Sequence, residues 1–133
     1  MVFLIMASCA TGPAKQGSLR EEVIGVLQKT EKMLKEEKLD NVRDYFSSVY
    51  FGGFDELERQ IEDRWREEQL ISLEFIVNRI LENDGILNVQ VRWHKSFLDA
   101  RGNPQRKSGT SEILLQPEGD SFRFLHISGD LFF

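Results

Sequence analysis

From residue 70 to residue 128 apolar and polar positions alternate with period two in four runs, divided by three turn signals. That is the pattern of half-buried β-strands. In residues 70–82, Ile71, Leu73, Phe75 and Val77 fall on one side and Ser72, Glu74 and Asn78 on the other; Arg79 interrupts the apolar side, and a bulge is expected there. Asn83-Asp84-Gly85 supplies the positive backbone dihedrals of a tight hairpin turn, so residues 86–100 return antiparallel. In this second run Leu87, Val89, Val91, Trp93 and Phe97 alternate with Asn88, Gln90, Arg92, His94 and Ser96, predicting one core face and one face toward water or a partner. Residues 99–109 contain two glycines, Pro104, Arg101, Arg106 and Lys107, and read as a mobile, basic hairpin loop well placed for ligand contact. Residues 110–116 and 121–128 complete the set across Pro117-Glu118-Gly119-Asp120. The last run is apolar on both sides, with Phe122, Phe124 and His126 alternating against Arg123, Leu125 and Ile127. This predicts a central strand, or one whose second face another subunit covers.

The period changes upstream. Ser18 followed by Glu21 has the form of a capping box, and Leu19, Val23, Val26, Leu27, Thr30, Met33 and Leu34 then recur at helical spacing. Glu31 and Lys35 stand four apart on the outer side in the favourable order. Asp40 is placed to cap a short second helix bearing Leu39, Val42, Tyr45, Phe46 and Val49. After Gly52-Gly53, Phe54, Leu57, Ile61 and Trp65 mark a third helix, with Asp55 and Glu56 at its positive end. Its remaining surface is a dense run of charges, the composition of a solvated helix face.

These elements predict an α+β fold in which three N-terminal helices pack on a curved, mainly antiparallel four-stranded sheet. The 133 residues, 29% charged and 41% hydrophobic, suffice for one ordinary domain. A net charge of −5 argues against nucleic acid as a partner, since displacing phosphate counterions requires a basic face. No apolar run approaches the ~20 residues of a membrane span. Residues 1–6 are nonetheless wholly apolar, and Ala7-Ser8-Cys9-Ala10 surrounds the only cysteine with small residues. The segment resembles the lipobox that ends a bacterial lipoprotein signal peptide, although it lacks a basic start, is short, and has Met6 where leucine is preferred. That resemblance implies lipidation of Cys9 as the sole membrane attachment, a tether at residues 11–17, a folded domain over 18–133, and a location in the bacterial envelope.

The order of elements, with "LDNVRDYFSSVYF", "GGFDELERQIEDRW" and the closing "FRFLHISGDLFF", resembles the nuclear transport factor 2-like superfamily, the cystatin-like cone. The resemblance covers residues 18–133 and rests on no invariant chemical motif. It implies a pocket between helices and sheet, with Tyr45, Tyr50, Trp65, Trp93, Phe124 and His126 as ligand-binding candidates, and a homodimer through the outer sheet face. The superfamily holds isomerases, dehydratases and cyclases as well as adaptors and binding proteins, so fold alone does not select a function.

Direct signals for chemistry are few. The chain has no glycine-rich phosphate loop, no His-Glu-x-x-His, no Cys-x-x-Cys and no nucleophile elbow, and its two histidines, His94 and His126, stand on different strands. Neither metal nor cofactor is expected. His126, read on one side with Phe122 and Phe124, is the candidate neutral base. Tyr45 and Tyr50 are the candidate hydrogen-bond donors to an oxyanion, and Asp99 is the candidate carboxylate. The reading these signals favour is a non-enzymatic, envelope-anchored domain that binds a small apolar ligand or a protein partner. An enzyme of the ketosteroid isomerase, dehydratase or cyclase kind is the alternative, and a protein adaptor using Arg101, Arg106 and Lys107 is a third.

Overall fold

The structure is a computed structural model that describes residues 2–133, with side chains from Ser18 onward except that of Leu39. Three helices, α1 (Val2–Glu36), α2 (Leu39–Tyr45) and α3 (Phe54–Glu67), precede four strands, β1 (Gln69–Asn83), β2 (Ile86–Leu98), β3 (Pro104–Glu118) and β4 (Ser121–Gly129). The strands form one antiparallel meander in sequence order, curved around the helices as the α+β expectation requires. Ser18 stands inside α1 rather than at its start, so the capping-box reading does not hold. Cys9 and the expected tether lie outside the residues whose side chains are described.

The stripe on α1 is core: Val23, Val26, Leu27, Thr30, Met33 and Leu34 are buried. Thr30 is tolerated in this apolar stripe because its buried hydroxyl is satisfied, donating to the Val26 carbonyl at 2.8 Å. Asp40 is not the cap of α2; Lys38 holds that position, without a side-chain bond. Two side chains of α1 also close the outer edge of β1. Glu31 Oε2 accepts the Leu73 N–H at 2.7 Å, and Arg20 Nη2 donates to the Val77 carbonyl at 2.7 Å. Both are edge groups that would otherwise offer a template for another strand.

Three irregularities shape the sheet. The bulge expected near Arg79 is present, between Val77 and Arg79. A second one, between Leu70 and Ser72, departs from the alternation of the sequence: it leaves Ile71 exposed and packs Leu70 against the core in its stead. A third lies in β4, where Leu115 pairs with Phe124 but Leu114 pairs with His126, leaving Leu125 as the extra residue.

The basic loop is much shorter than its composition suggests. β3 begins at Pro104, so Arg106 and Lys107 are ladder residues opposite Ser96 and Lys95, and only Arg101 belongs to the turn. The free edge of β4 is closed from within the chain. Phe46 bridges Phe124, Ser47 N–H donates to the Phe124 carbonyl at 2.9 Å and Phe51 N–H to the Leu125 carbonyl at 2.9 Å. β4 is thus the last strand of the sheet and not a central one, and residues 46–51 close the edge it would otherwise expose.

After β4 the chain turns at Gly129, whose φ of 84° suits glycine. Asp130 ties the turn to β3, its N–H donating to the Thr110 carbonyl and its carboxylate accepting the Thr110 N–H. Leu131, Phe132 and Phe133 then run back into the cone, where Phe132 is wholly buried against Phe75, Phe124 and Phe133.

Candidate functional site

The inner face of β2 carries Leu87, Val89, Val91, Trp93, Lys95 and Phe97, all buried. Five of the six are apolar. Trp93 Nε1–H is satisfied by Ser111 Oγ at 3.0 Å and the Asp130 carbonyl at 3.3 Å, and Ser111 Oγ–H in turn donates to the same carbonyl. Lys95 is the only fully buried charged side chain among the described residues, with 2% of its side chain exposed. Its Nζ donates to Glu68 Oε2 at 2.8 Å and sits 4.9 Å from the centre of the Phe97 ring. The other Glu68 oxygen is 3.5 Å from Arg64 Nη1. Glu68 follows directly on α3, so helix and sheet are joined by this pair at the mouth of the cone.

Burial pushes the Lys95 ammonium below the ordinary lysine range, partly offset by the hydrogen bond and attraction of Glu68; Arg64 and Lys107 push it further down. The space at this mouth, lined by Leu34, Arg64, Trp65, Glu68, Leu70, Lys95, Phe132 and Phe133, is a void of about 20 Å³. It has room for roughly one water molecule. The cone is filled by its own side chains.

The predicted site residues do not converge there. Trp93 and Phe124 are core, and Phe124 stacks on Phe46 at 4.8 Å. Trp65 lines the mouth, while Tyr45 and Tyr50 are half-buried against the core. Tyr50 Oη accepts the Ile127 N–H at 3.1 Å, and burial raises its pKa, partly offset by that bond. The β4 bulge removes His126 from the side it was expected to share with Phe124. Its ring lies 6.0 Å from Tyr50 and 5.5 Å from Phe51, beside the segment that covers β4, with Nδ1 buried and unbonded. His94 Nδ1 meets Ser108 Oγ at 2.8 Å on the exposed sheet face.

Asp99 is engaged by its own turn. Oδ1 accepts the N–H groups of Arg101 and Asn103 at 2.9 Å each, and Oδ2 accepts from Gln105 at 3.2 Å. These bonds hold its carboxyl below the usual range, the Asn103 N–H contributing most. Tyr50 and His126 are thus neighbours, but His126, Tyr45 and Asp99 do not form a proton-transfer set. Among the described residues no three His, Cys, Asp or Glu side chains converge as metal ligands.

The sequence reading missed Lys95 and Glu68. The signal was present, since Lys95 interrupts the inward parity of Trp93 and Phe97. What the mouth offers chemically is an ammonium in an apolar wall, held by one carboxylate that it shares with a guanidinium.

No protein-family model and no curated protein sequence matches the chain. Solved structures do. A protein from Catenulispora acidiphila superposes with a TM-score of 0.72 at 17% identity, covering 87% of this chain and 93% of that one. A second structure from that organism, in complex with S-DNPA, gives 0.66 at 13% identity over 85% and 92%. A nuclear transport factor 2-like superfamily protein from Salmonella enterica gives 0.69 at 8% identity over 86% and 92%. At these identities the likeness speaks for architecture alone, and the architecture is that of the nuclear transport factor 2-like cone.

Proposed function

We propose that this chain is a non-enzymatic binding domain whose cone accepts a small apolar ligand. One observation carries the reading: the cone is walled by Trp93, Phe124, Phe132 and Phe133, while Asp99 and His126 are spent or placed elsewhere. The cone is filled as it stands, so a ligand enters only where one of these side chains gives up its place, and no arranged base faces it there. A neighbour of this fold in complex with S-DNPA supports the same reading. The test is recovery of the ligand. A panel of neutral apolar compounds is expected to raise the melting temperature in proportion to dose, each compound returning chemically unchanged after prolonged incubation. Conversion of a compound at a rate proportional to protein concentration would establish the isomerase-type alternative instead.

The proposal places the domain in a bacterial envelope with Cys9 lipidated, on the pattern of residues 1–10 alone. Metabolic labelling with a fatty acid should mark the wild-type chain and not Cys9→Ser; native protein carrying an unmodified Met1 would end that part. A protein partner is the second reading, favoured by the clustering of exposed cations on β2 and β3.

A further inference from the structure

The mouth of the cone carries more positive charge than it compensates. Lys95 and Arg64 share the single carboxylate of Glu68, at 2.8 and 3.5 Å, and Lys107 stands directly opposite Lys95 across the β2–β3 ladder. Like charges facing one another across a ladder repel. Arg64 reaches one more carboxylate, Glu67 at 3.2 Å, but that side chain is mostly in solvent. Two cations thus share one largely shielded carboxylate, and a third, exposed, faces Lys95, in a wall that also holds Trp65, Leu70, Phe97 and Phe133.

The aromatic filling at this spot is fastened differently from the rest of the core. Trp93, Phe97 and Phe124 are locked into the sheet ladder. Phe132 and Phe133 lie beyond the last strand, and among the described residues no backbone hydrogen bond holds the chain after Asp130. Side-chain burial alone keeps them in place. Phe133 also reaches the mouth, where it lines the small void beside Lys95, Arg64 and Trp65.

We infer that Phe132 and Phe133 occupy the seat of an anionic aromatic ligand, one with a flat apolar body and a carboxylate. The ligand's ring replaces Phe133, and its carboxylate completes the charge set of Lys95 and Arg64. The inference rests on the binding-domain reading above and adds to it a ligand class and an internal competitor. A seat occupied by the chain's own side chain lowers apparent affinity by the fraction of time it is filled, so removing the occupant strengthens binding.

The test uses the full chain and two probes of the same shape, naphthalene-2-carboxylate and its neutral isostere 2-naphthamide, with binding read by calorimetry. In the wild type the carboxylate is expected to bind at least about tenfold more tightly than the amide, a difference that one charge-assisted pair supplies. Phe133→Ala should tighten carboxylate binding by about tenfold or more, provided near-ultraviolet dichroism shows the fold intact. Should that variant unfold, Phe133→Leu is read instead, with a smaller gain in the same direction. Lys95→Met in the Phe133→Ala background should erase the preference for the carboxylate over the amide. Unchanged or weaker carboxylate binding in folded Phe133→Ala or Phe133→Leu overturns the competitor. Equal affinity for the two probes overturns the anion site but leaves the binding-domain reading standing. Absence of binding by both probes at about 1 mM, the weak end of specific affinity, overturns both.

Discussion

Lys95 and Glu68 show how a single buried pair sets a pH dependence. With the ammonium nearly excluded from water and its pKa depressed by burial, the folded chain loses this proton before the unfolded chain does. Below the depressed value Lys95 is charged in both states, and the cost of burying that charge is fully present. Between that value and the unfolded lysine value of 10.5 the unfolded state holds more protons, so stability rises with pH. Glu68→Gln removes the partner that holds the pKa up, so the window opens at lower pH. The variant should lose about 3 kcal/mol at neutral pH, as expected when a buried pair loses one member. Urea midpoints measured from about pH 7 upward should show the gap from wild type closing as lysine deprotonates; a constant or widening gap would refute the assignment. Gly109 is decided by contact. A Cβ there would lie 2.5 Å from Trp93 Cζ2 and 2.7 Å from the Asp130 Cβ. Neither the locked indole nor the tied turn can retreat far, so Gly109→Ala is expected to cost about 1–3 kcal/mol in chemical denaturation, the range for overpacking.

At the scale of elements, β4 depends on the segment beside it. Tyr50 Oη is the acceptor for the Ile127 N–H. Removing it strands a partly buried donor, so Tyr50→Phe should cost about 1–2 kcal/mol and speed amide exchange at Ile127 more than at Ile113, inside the sheet. The same strand shows what the sequence could and could not convey. Strand order, three helices and the inward stripe of β2 were legible because each rests on a period sustained over many residues. The side of His126 was not, because one extra residue at Leu125 reverses the parity of everything after it. Arg79 announced its bulge by putting charge on an apolar face, whereas Leu125 and Ile71 are apolar and gave no sign. The β2–β3 loop was overdrawn for a related reason. Pro104, Arg106 and Lys107 read as loop by composition, yet a twisted ribbon projecting past the core needs no apolar face and accommodates them as strand. The inward course of Phe132 and Phe133 is hidden too, since "LFF" after Gly129 continues the strand pattern while the glycine turns the chain inward.

Across the whole molecule, core and charge are distributed unevenly, and each asymmetry has a consequence. Phe132 completes the core from outside the sheet, so Phe132→Ala should cost about 3–5 kcal/mol, a large part of the about 5–15 kcal/mol typical of a domain. Phe133→Ala, at the mouth, should cost less, and the order of the two urea midpoints checks this. The charge asymmetry is of another kind. Residues 92–110 hold five Lys and Arg against one Asp, a net +4 in a chain that totals −5. Lys95 is buried with Glu68, and Asp99 is consumed by its turn. Arg92, Arg101, Arg106 and Lys107 remain exposed, with no ion pair among the described residues. The helical side is dense in carboxylates, but Arg59, Arg64 and Arg66 already engage many of them. A field of this shape orients an approaching acidic chain toward the far end of the β2–β3 ribbon and repels it elsewhere, which acts on association rate more than on lifetime. If a protein partner exists, it should therefore be acidic where it meets this ribbon. Its on-rate should fall steeply as ionic strength rises from about 0.01 to 0.15 M, where screening shortens from about 30 to 8 Å. Reversing Arg101 and Arg106 to Glu should slow capture by at least about tenfold with little change in off-rate, leaving stability within about 0.5 kcal/mol because neither is paired or buried. Capture that is insensitive both to salt and to that reversal would place the interface on another face of the cone.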